Sequence, residues 1–209
     1  MVTPLTRTFH LNALSELELR HVQAEMVTYQ GRHAMRLGEH GEPTANDPTI
    51  AILSDSDFTD GVIEAEIAGT TRTDAPQDMR GFVGLAFRVQ PHGSRFECFF
   101  LRPTNARADD QLRRNHSTQY ISHPAFPWYR LRQDAPGRYE SYTDLVPGAW
   151  TPIKIVVFAR QAHLYVHGAE QPCLVVNDLK LSETRGQIAL WIGSGTEAHF
   201  SRVVVKTAV

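Results

Sequence analysis

Between Arg88 and Tyr142 the chain gathers the side chains best able to hold, or act on, a polar ligand. Glu97 and Glu140 are acids that could pass a proton. His116 is a third proton-transfer group, because imidazole titrates near about pH 6.5. Around them Arg88, Arg102, Asn105, Arg113, Arg114, Asn115 and Arg132 bring donors suited to oxyanions and sugar hydroxyls. Tyr120, Trp128 and Tyr142 offer ring faces on which the apolar side of a sugar can pack, and Pro124 and Pro127 stiffen the approach to Trp128. This set makes Glu97, Glu140 and His116 the catalytic candidates and the others ligand-binding candidates. Each also has a structural reading. Asp109 and Asp110 can neutralise Arg113 and Arg114 in a solvated loop, His116 can be surface decoration, and the aromatics can form a satellite core beneath the loop.

Whether these groups meet depends on the elements that carry them. Residues 82–89 are apolar on both faces apart from Arg88. The turn at 90–94 folds that strand into a hairpin with Phe96–Leu101. If the register sets Arg88 opposite Glu97, they form a cross-strand ion pair; a slip of one residue sends them to opposite faces. Residues 102–138 then make a long polar insert. Loops of that length are uncommon and functional or disordered, and the aromatic content of this one argues for order. After it, alternation around 139–145 puts Glu140 and Tyr142 on one face, with Asp144 beside them.

The rest of the chain supplies the scaffold. Residues 62–67 alternate, with Ile63, Ala65 and Ile67 on one side and Glu64 and Glu66 on the other. Short apolar runs follow at 153–158, 163–167, 173–176, 188–192 and 200–205, and no segment keeps a helical period. This pattern predicts an all-β fold: a two-sheet antiparallel jelly-roll β-sandwich with a long ordered insert, as one domain over 1–209. Phe82, Trp150 and Trp191 are expected in its core.

The 209 residues carry a formal charge of −2, which leaves no strong field for nucleic acid or an anionic membrane. Of the 21 basic residues only Lys154, Lys180 and Lys206 are lysines. Cys98 and Cys173 are too few for a disulfide framework or a zinc site. Asp55, Asp57 and Asp60 hint at a calcium loop, but turn-forming Asp explains them and their spacing is not that of an EF-hand. No metal site is therefore assigned, and any cofactor is unknown. No segment has the length of a membrane span or the apolar core of a signal peptide. The expectation is a soluble protein with its compartment open, cytoplasmic if the start is native, and its oligomeric state unknown.

From Val62 onward the motifs DGVIEAEI, GFVGLAFR, FECFFLRP, PGAWTPIKIVV, HLYVHG, LVVNDLK, GQIALWIG and FSRVVV resemble the concanavalin A-like lectin/glucanase superfamily. Within it the chain looks like the bacterial laminin-G-like and 3-keto-disaccharide hydrolase-like domains. The resemblance covers about two thirds of the chain and implies two stacked sheets with the ligand on the concave one. It also implies that Arg88 and Glu97 line that face, Arg88 holding a sugar hydroxyl or carboxylate. The Glu-x-Asp-x-x-Glu triad of family-16-like glucanases is incomplete here, because Glu64 and Glu66 lack a third acid; a solvated outer face accounts for both. The expected function is carbohydrate binding on the concave sheet under the 102–138 insert, with a small-molecule or oligosaccharide partner. The alternatives are a glycoside hydrolase acting on a glycoside or 3-keto-glycoside, and a structural module without a small ligand.

Overall fold

Alternation in the segment Gly61–Thr71 sets the inside of the molecule. In the computed structural model, which describes residues 5–44 and 46–207, Ile63, Ala65 and Ile67 are buried. Glu64 and Glu66 point outward and pair with Lys206 at 2.8 Å and Arg32 at 2.6 Å. The described strands are β1 (Leu5–Phe9), β2 (Leu17–Arg20), β3 (Val22–Tyr29), β4 (Arg32–Glu39), β5 (Ile50–Leu53), β6 (Gly61–Thr71), β7 (Val83–Val89), β8 (Phe96–Leu101), β9 (Thr118–His123), β10 (Glu140–Ser141), β11 (Thr151–Phe158), β12 (Gln161–Val166), β13 (Leu174–Val176), β14 (Gln187–Ile192) and β15 (Thr196–Thr207). Two short helices, α1 (Gln111–Asn115) and α2 (Trp128–Asp134), lie between β8 and β10.

The strands form two antiparallel sheets. Sheet A runs β13-β12-β11-β6-β15-β4-β3, with β1 also paired to β15; sheet B runs β10-β9-β8-β7-β14-β5-β2. The architecture is the expected all-β sandwich, with neighbouring strands often distant in sequence.

Sheet B is apolar on both sides, which is why β7 and β8 lack alternation. Its inner face, including Leu85, Phe99, Leu101, Ile188 and Leu190, packs on sheet A. Its outer face carries a second apolar layer of Ile50, Ile52, Ala86, Phe96, Cys98, Phe100, Ile121 and Ala189, against which Phe82 and Trp191 pack. Phe82 and Trp191 are thus not part of the inter-sheet core, as their types suggested; period-2 spacing puts Trp191 on the side opposite Leu190. Trp150 is only half-buried, with its ring 5.7 Å from that of Tyr29 and the Arg32 guanidinium 5.6 Å away.

The insert is ordered but is not one loop. Its middle is β9, which pairs with β8 along its whole length, from Phe96 opposite His123 to Leu101 opposite Thr118. The return near 139–145 is only the two-residue β10, so the alternation expected there stops at Ser141. Helix α1 begins where Asp110 accepts a hydrogen bond from the Arg113 backbone N–H at 2.6 Å, an N-cap role in place of the expected charge neutralisation. Helix α2 has under two turns, too few for a 3.6-residue period to register in the sequence. It buries Leu131 and turns Trp128 and Arg132 to the same side, as their spacing of four residues requires.

Candidate functional site

The outer face of sheet B holds a groove of about 540 Å³ between the 43–49 loop, the 78–82 segment and the insert. Phe100 of β8 and Trp191 of β14 make its floor, stacked with ring centres 4.6 Å apart and planes at 29°. They sit on strands that are not neighbours. Gly84 of β7 lies between them, opposite Phe100 on one side and Trp191 on the other. With no side chain on Gly84 the two rings meet across it. A Cβ there would stand 2.2 Å from the Phe99 carbonyl oxygen and 2.6 Å from the Phe100 Cβ. Phe82 and Ile121 extend the floor, and the cis-linked His123–Pro124 pair, Pro127, Trp128 and Tyr129 form one wall. Trp128 and Tyr129 are exposed rims, their rings set edge-on at 85°.

One end of the groove is polar and dense with guanidinium groups. Glu140, almost fully buried, accepts from Arg132 Nε at 3.0 Å and Nη2 at 2.6 Å, and its Oε1 lies 3.1 Å from His116 Nε2. Arg102 Nη1 stands 4.0 Å from Glu140 Oε2 and donates to the His116 carbonyl and to Gln119 Oε1, both at 3.1 Å. The Trp128 ring lies 5.6 Å from the Arg102 guanidinium and 4.8 Å from that of Arg132, a stacking arrangement that also locks the indole. Asn105 donates to the His116 carbonyl at 3.3 Å, and its buried Oδ1 has no partner. Burial, with Arg132 close by, pushes the Arg102 guanidinium down to about 9, which still leaves it cationic at neutral pH. Burial lowers His116 too, against the pull of Glu140.

Of the residues singled out from the sequence, the groove brings together Arg102, Asn105, Arg113, His116, Trp128 and Arg132, with Glu140 directly behind. Arg88, Glu97 and Tyr120 are elsewhere. Glu97 follows the outward Phe96 and therefore points between the sheets, where it accepts from the Tyr120 hydroxyl at 2.6 Å and from the Leu181 N–H at 2.7 Å. Its carboxyl is pushed up by burial. Phe87, not Arg88, stands opposite Glu97. Arg88 falls at the irregularity where β7 and β14 shift register, with φ at +53°, and is fully buried. It donates to Asp60 at 2.9 Å and to the Thr59 and Ala159 carbonyls. The placement on a ligand-bearing face implied for Arg88 and Glu97 is thus corrected. A Glu97–Glu140 acid pair is also excluded by geometry, since the two carboxylates are on opposite faces of sheet B.

Arg114, Asn115 and Tyr142 do not line the groove either. Arg114 lies over the Tyr142 ring at 5.4 Å, and the Asn115 side chain accepts from Gln111. Among the loop acids with a calcium-like look, Asp57 pairs with Arg185 and Asp60 with Arg88; among the described residues no cluster of three His, Cys, Asp or Glu could hold a metal. Both cysteines are free. Sequence reading missed Arg80, Phe100 and Trp191 as groove residues. The available signal was β8 itself, whose Phe96, Cys98 and Phe100 form a second apolar face that something must partly cover.

A sandwich of this topology, with a groove on an outer sheet face, has the fold of the concanavalin A-like lectin/glucanase superfamily. No protein-family model matches the chain, and no curated protein matches it. Among solved structures it is similar to a protein of unknown function with a galectin-like fold from Bacillus subtilis, with TM-score 0.62, 14% identity, and 99% of this chain and 97% of that one covered. It is also similar to the carbohydrate-binding module CBM66 from Bacillus subtilis, with TM-score 0.56, 13% identity, and coverage of 90% and 97%. A Bacillus licheniformis β-glucanase matches with TM-score 0.53, 13% identity, and 99% of each chain covered. The fold is therefore one shared with carbohydrate-binding and carbohydrate-cleaving proteins. Among the described residues no helix is long and apolar enough to cross a membrane.

Proposed function

We propose that the chain binds an oligosaccharide in the groove on the outer face of sheet B, beneath the 102–138 insert. The observation that carries this reading is the Phe100–Trp191 floor with Trp128 and Tyr129 at its rim, set against the Arg102–Arg132–Glu140 cluster. A sugar ring has an apolar face bounded by equatorial hydroxyls. Flat rings beside fixed donors and acceptors complement both at once. The groove volume accommodates a few sugar units, and its side chains are already held by mutual contacts, so little ordering is spent on binding.

Titration calorimetry against a broad panel of oligosaccharides tests the reading. Trp128→Ala is expected to weaken the best ligand about tenfold, the effect of losing an exposed aromatic anchor of about 1.4 kcal/mol. Silence across the whole panel, or full affinity in the variant, removes it.

Sugar cleavage has one observation in its favour, the His116–Glu140 contact at 3.1 Å, in which a carboxylate orients an imidazole facing the groove. In that reading His116 takes the proton and Glu140 positions it. Turnover of glycosides and 3-keto-glycosides abolished in His116→Gln, with binding retained, is the result it requires.

A further inference from the structure

Resting on the groove reading, we propose that the sugar it takes carries a carboxylate, and that Arg102 receives it through the Nε–Nη2 edge. Arg132 and Glu140 already satisfy each other. Glu140 is engaged by Arg132 and His116 and reaches only Nη1 of Arg102. The Nε and Nη2 groups of Arg102 make no hydrogen bond among the described residues, and neither is sealed from solvent as the Arg88 Nη1 is. Arg102 lines the groove, so the solvent these two nitrogens meet is the groove's.

That edge presents two parallel N–H bonds, spaced to match the two oxygens of a carboxylate. The protein uses the same edge repeatedly. Arg132 holds Glu140 with Nε and Nη2, Arg107 holds Asp144, Arg72 holds Asp74 and Arg185 holds Asp57. At Arg102 the guanidinium is held through Nη1 by Gln119 and the His116 carbonyl and lies beside the Trp128 ring, while its Nε–Nη2 edge lacks an acid among the described residues.

Charge gives the same answer. Arg80, Arg102, Arg113 and Arg132 face the groove, against Asp47, Asp78 and the adjoining Glu140, which leaves one positive charge in excess. The buried member, Arg102, shares Glu140 with Arg132 and His116 and stands farthest from it, at 4.0 Å, so a ligand of charge −1 would give it a counter-ion of its own. The aromatic floor and rim and the acceptors Asp47 and Asp78 ask for a ring with hydroxyl donors on the same molecule. A uronic acid residue meets all of these demands. A neutral sugar offers the fork hydroxyl oxygens but no charge, and a free small carboxylate leaves the rings bare.

The test is calorimetric titration with oligogalacturonate, mannuronate and guluronate oligomers and glucuronoxylan fragments, each beside its carboxyl-reduced neutral counterpart, with sulfated oligosaccharides as a further arm. At least one uronate is expected to bind about tenfold or more tightly than its reduced form. Arg102→Gln is expected to erase that preference, read as the ratio of uronate to reduced-sugar affinity falling to about one. Arg113→Glu, an exposed change that reverses one charge at the groove, is expected to lower the ratio of uronate to reduced-sugar affinity severalfold. Neutral sugars binding as well as uronates, or only sulfated sugars binding, overturns the carboxylate proposal and leaves the groove reading standing. No binding in any arm overturns both.

Discussion

Glu97 illustrates what a single carboxyl does when the strand turns it inward. It is surrounded by the Tyr120 hydroxyl and the Leu181 N–H, and burial raises its pKa above the ordinary 4.5. A raised acid holds its proton better in the folded state. Its contribution to stability is complete below 4.5 and is lost as pH rises through the raised value. Glu97→Gln removes that loss while keeping an acceptor for Leu181. The stability gap between wild type and variant is therefore expected to move in the variant's favour as pH rises above 4.5, read as the difference in Tm. A gap moving the other way contradicts a raised Glu97. Sugar affinity should stay within about twofold in this variant, because the groove is on the other side of the sheet.

At the scale of elements, the site is a product of three neighbouring strands and one short helix. β8 and β14 bring Phe100 and Trp191, β7 separates them with a glycine, and α2 supplies Trp128 and Arg132 together. Gly84→Val would insert a branched side chain where the Phe99 carbonyl already stands 2.2 Å from the Cβ position. Overpacking of this kind costs about 1–3 kcal/mol. The variant is expected to lose that much in urea unfolding and to lose oligosaccharide binding, since the stacked floor is split. Retained binding would mean that the Phe100–Trp191 pair is not the platform.

Across the whole molecule, buried and half-buried histidines set the acid limit. His116, His123 and His199 all have values lowered from 6.5, with burial the largest cause in each. A depressed imidazole takes up its proton only at a cost to the fold. Stability from these groups is complete above 6.5 and is lost as pH falls through their lowered values. Glu97 works in the opposite direction over part of that range but is one group against three. Tm is expected to fall from about pH 7 to 5, and His123→Gln and His199→Gln each to flatten that slope. β15 pairs with β1, β4 and β6 and so ties the first and last described strands into sheet A.

Alternation and turn residues determined much of this protein in one dimension. The Ile63–Ala65–Ile67 series, the two-sided apolar strands β7 and β8, and the turn between them are local patterns that period-2 backbone geometry must honour. They announce a sandwich without reference to anything distant. The crowding of Arg, His and Trp after Leu101 was likewise visible, and six of those side chains meet in one groove with Glu140 behind them. Register was not visible. The β7–β8 register sets Phe87 rather than Arg88 opposite Glu97, Arg88 falls at an irregularity between β7 and β14, and a parity of one residue sends Glu97 and Tyr120 inward while Phe100 faces the groove. Trp191 and Gly84 lie more than a hundred residues apart in sequence, and only the β7–β14 pairing sets them side by side. Tertiary structure decided those points because a side chain's facing depends on which strand lies beside it, and that is settled by the collapse of the whole chain.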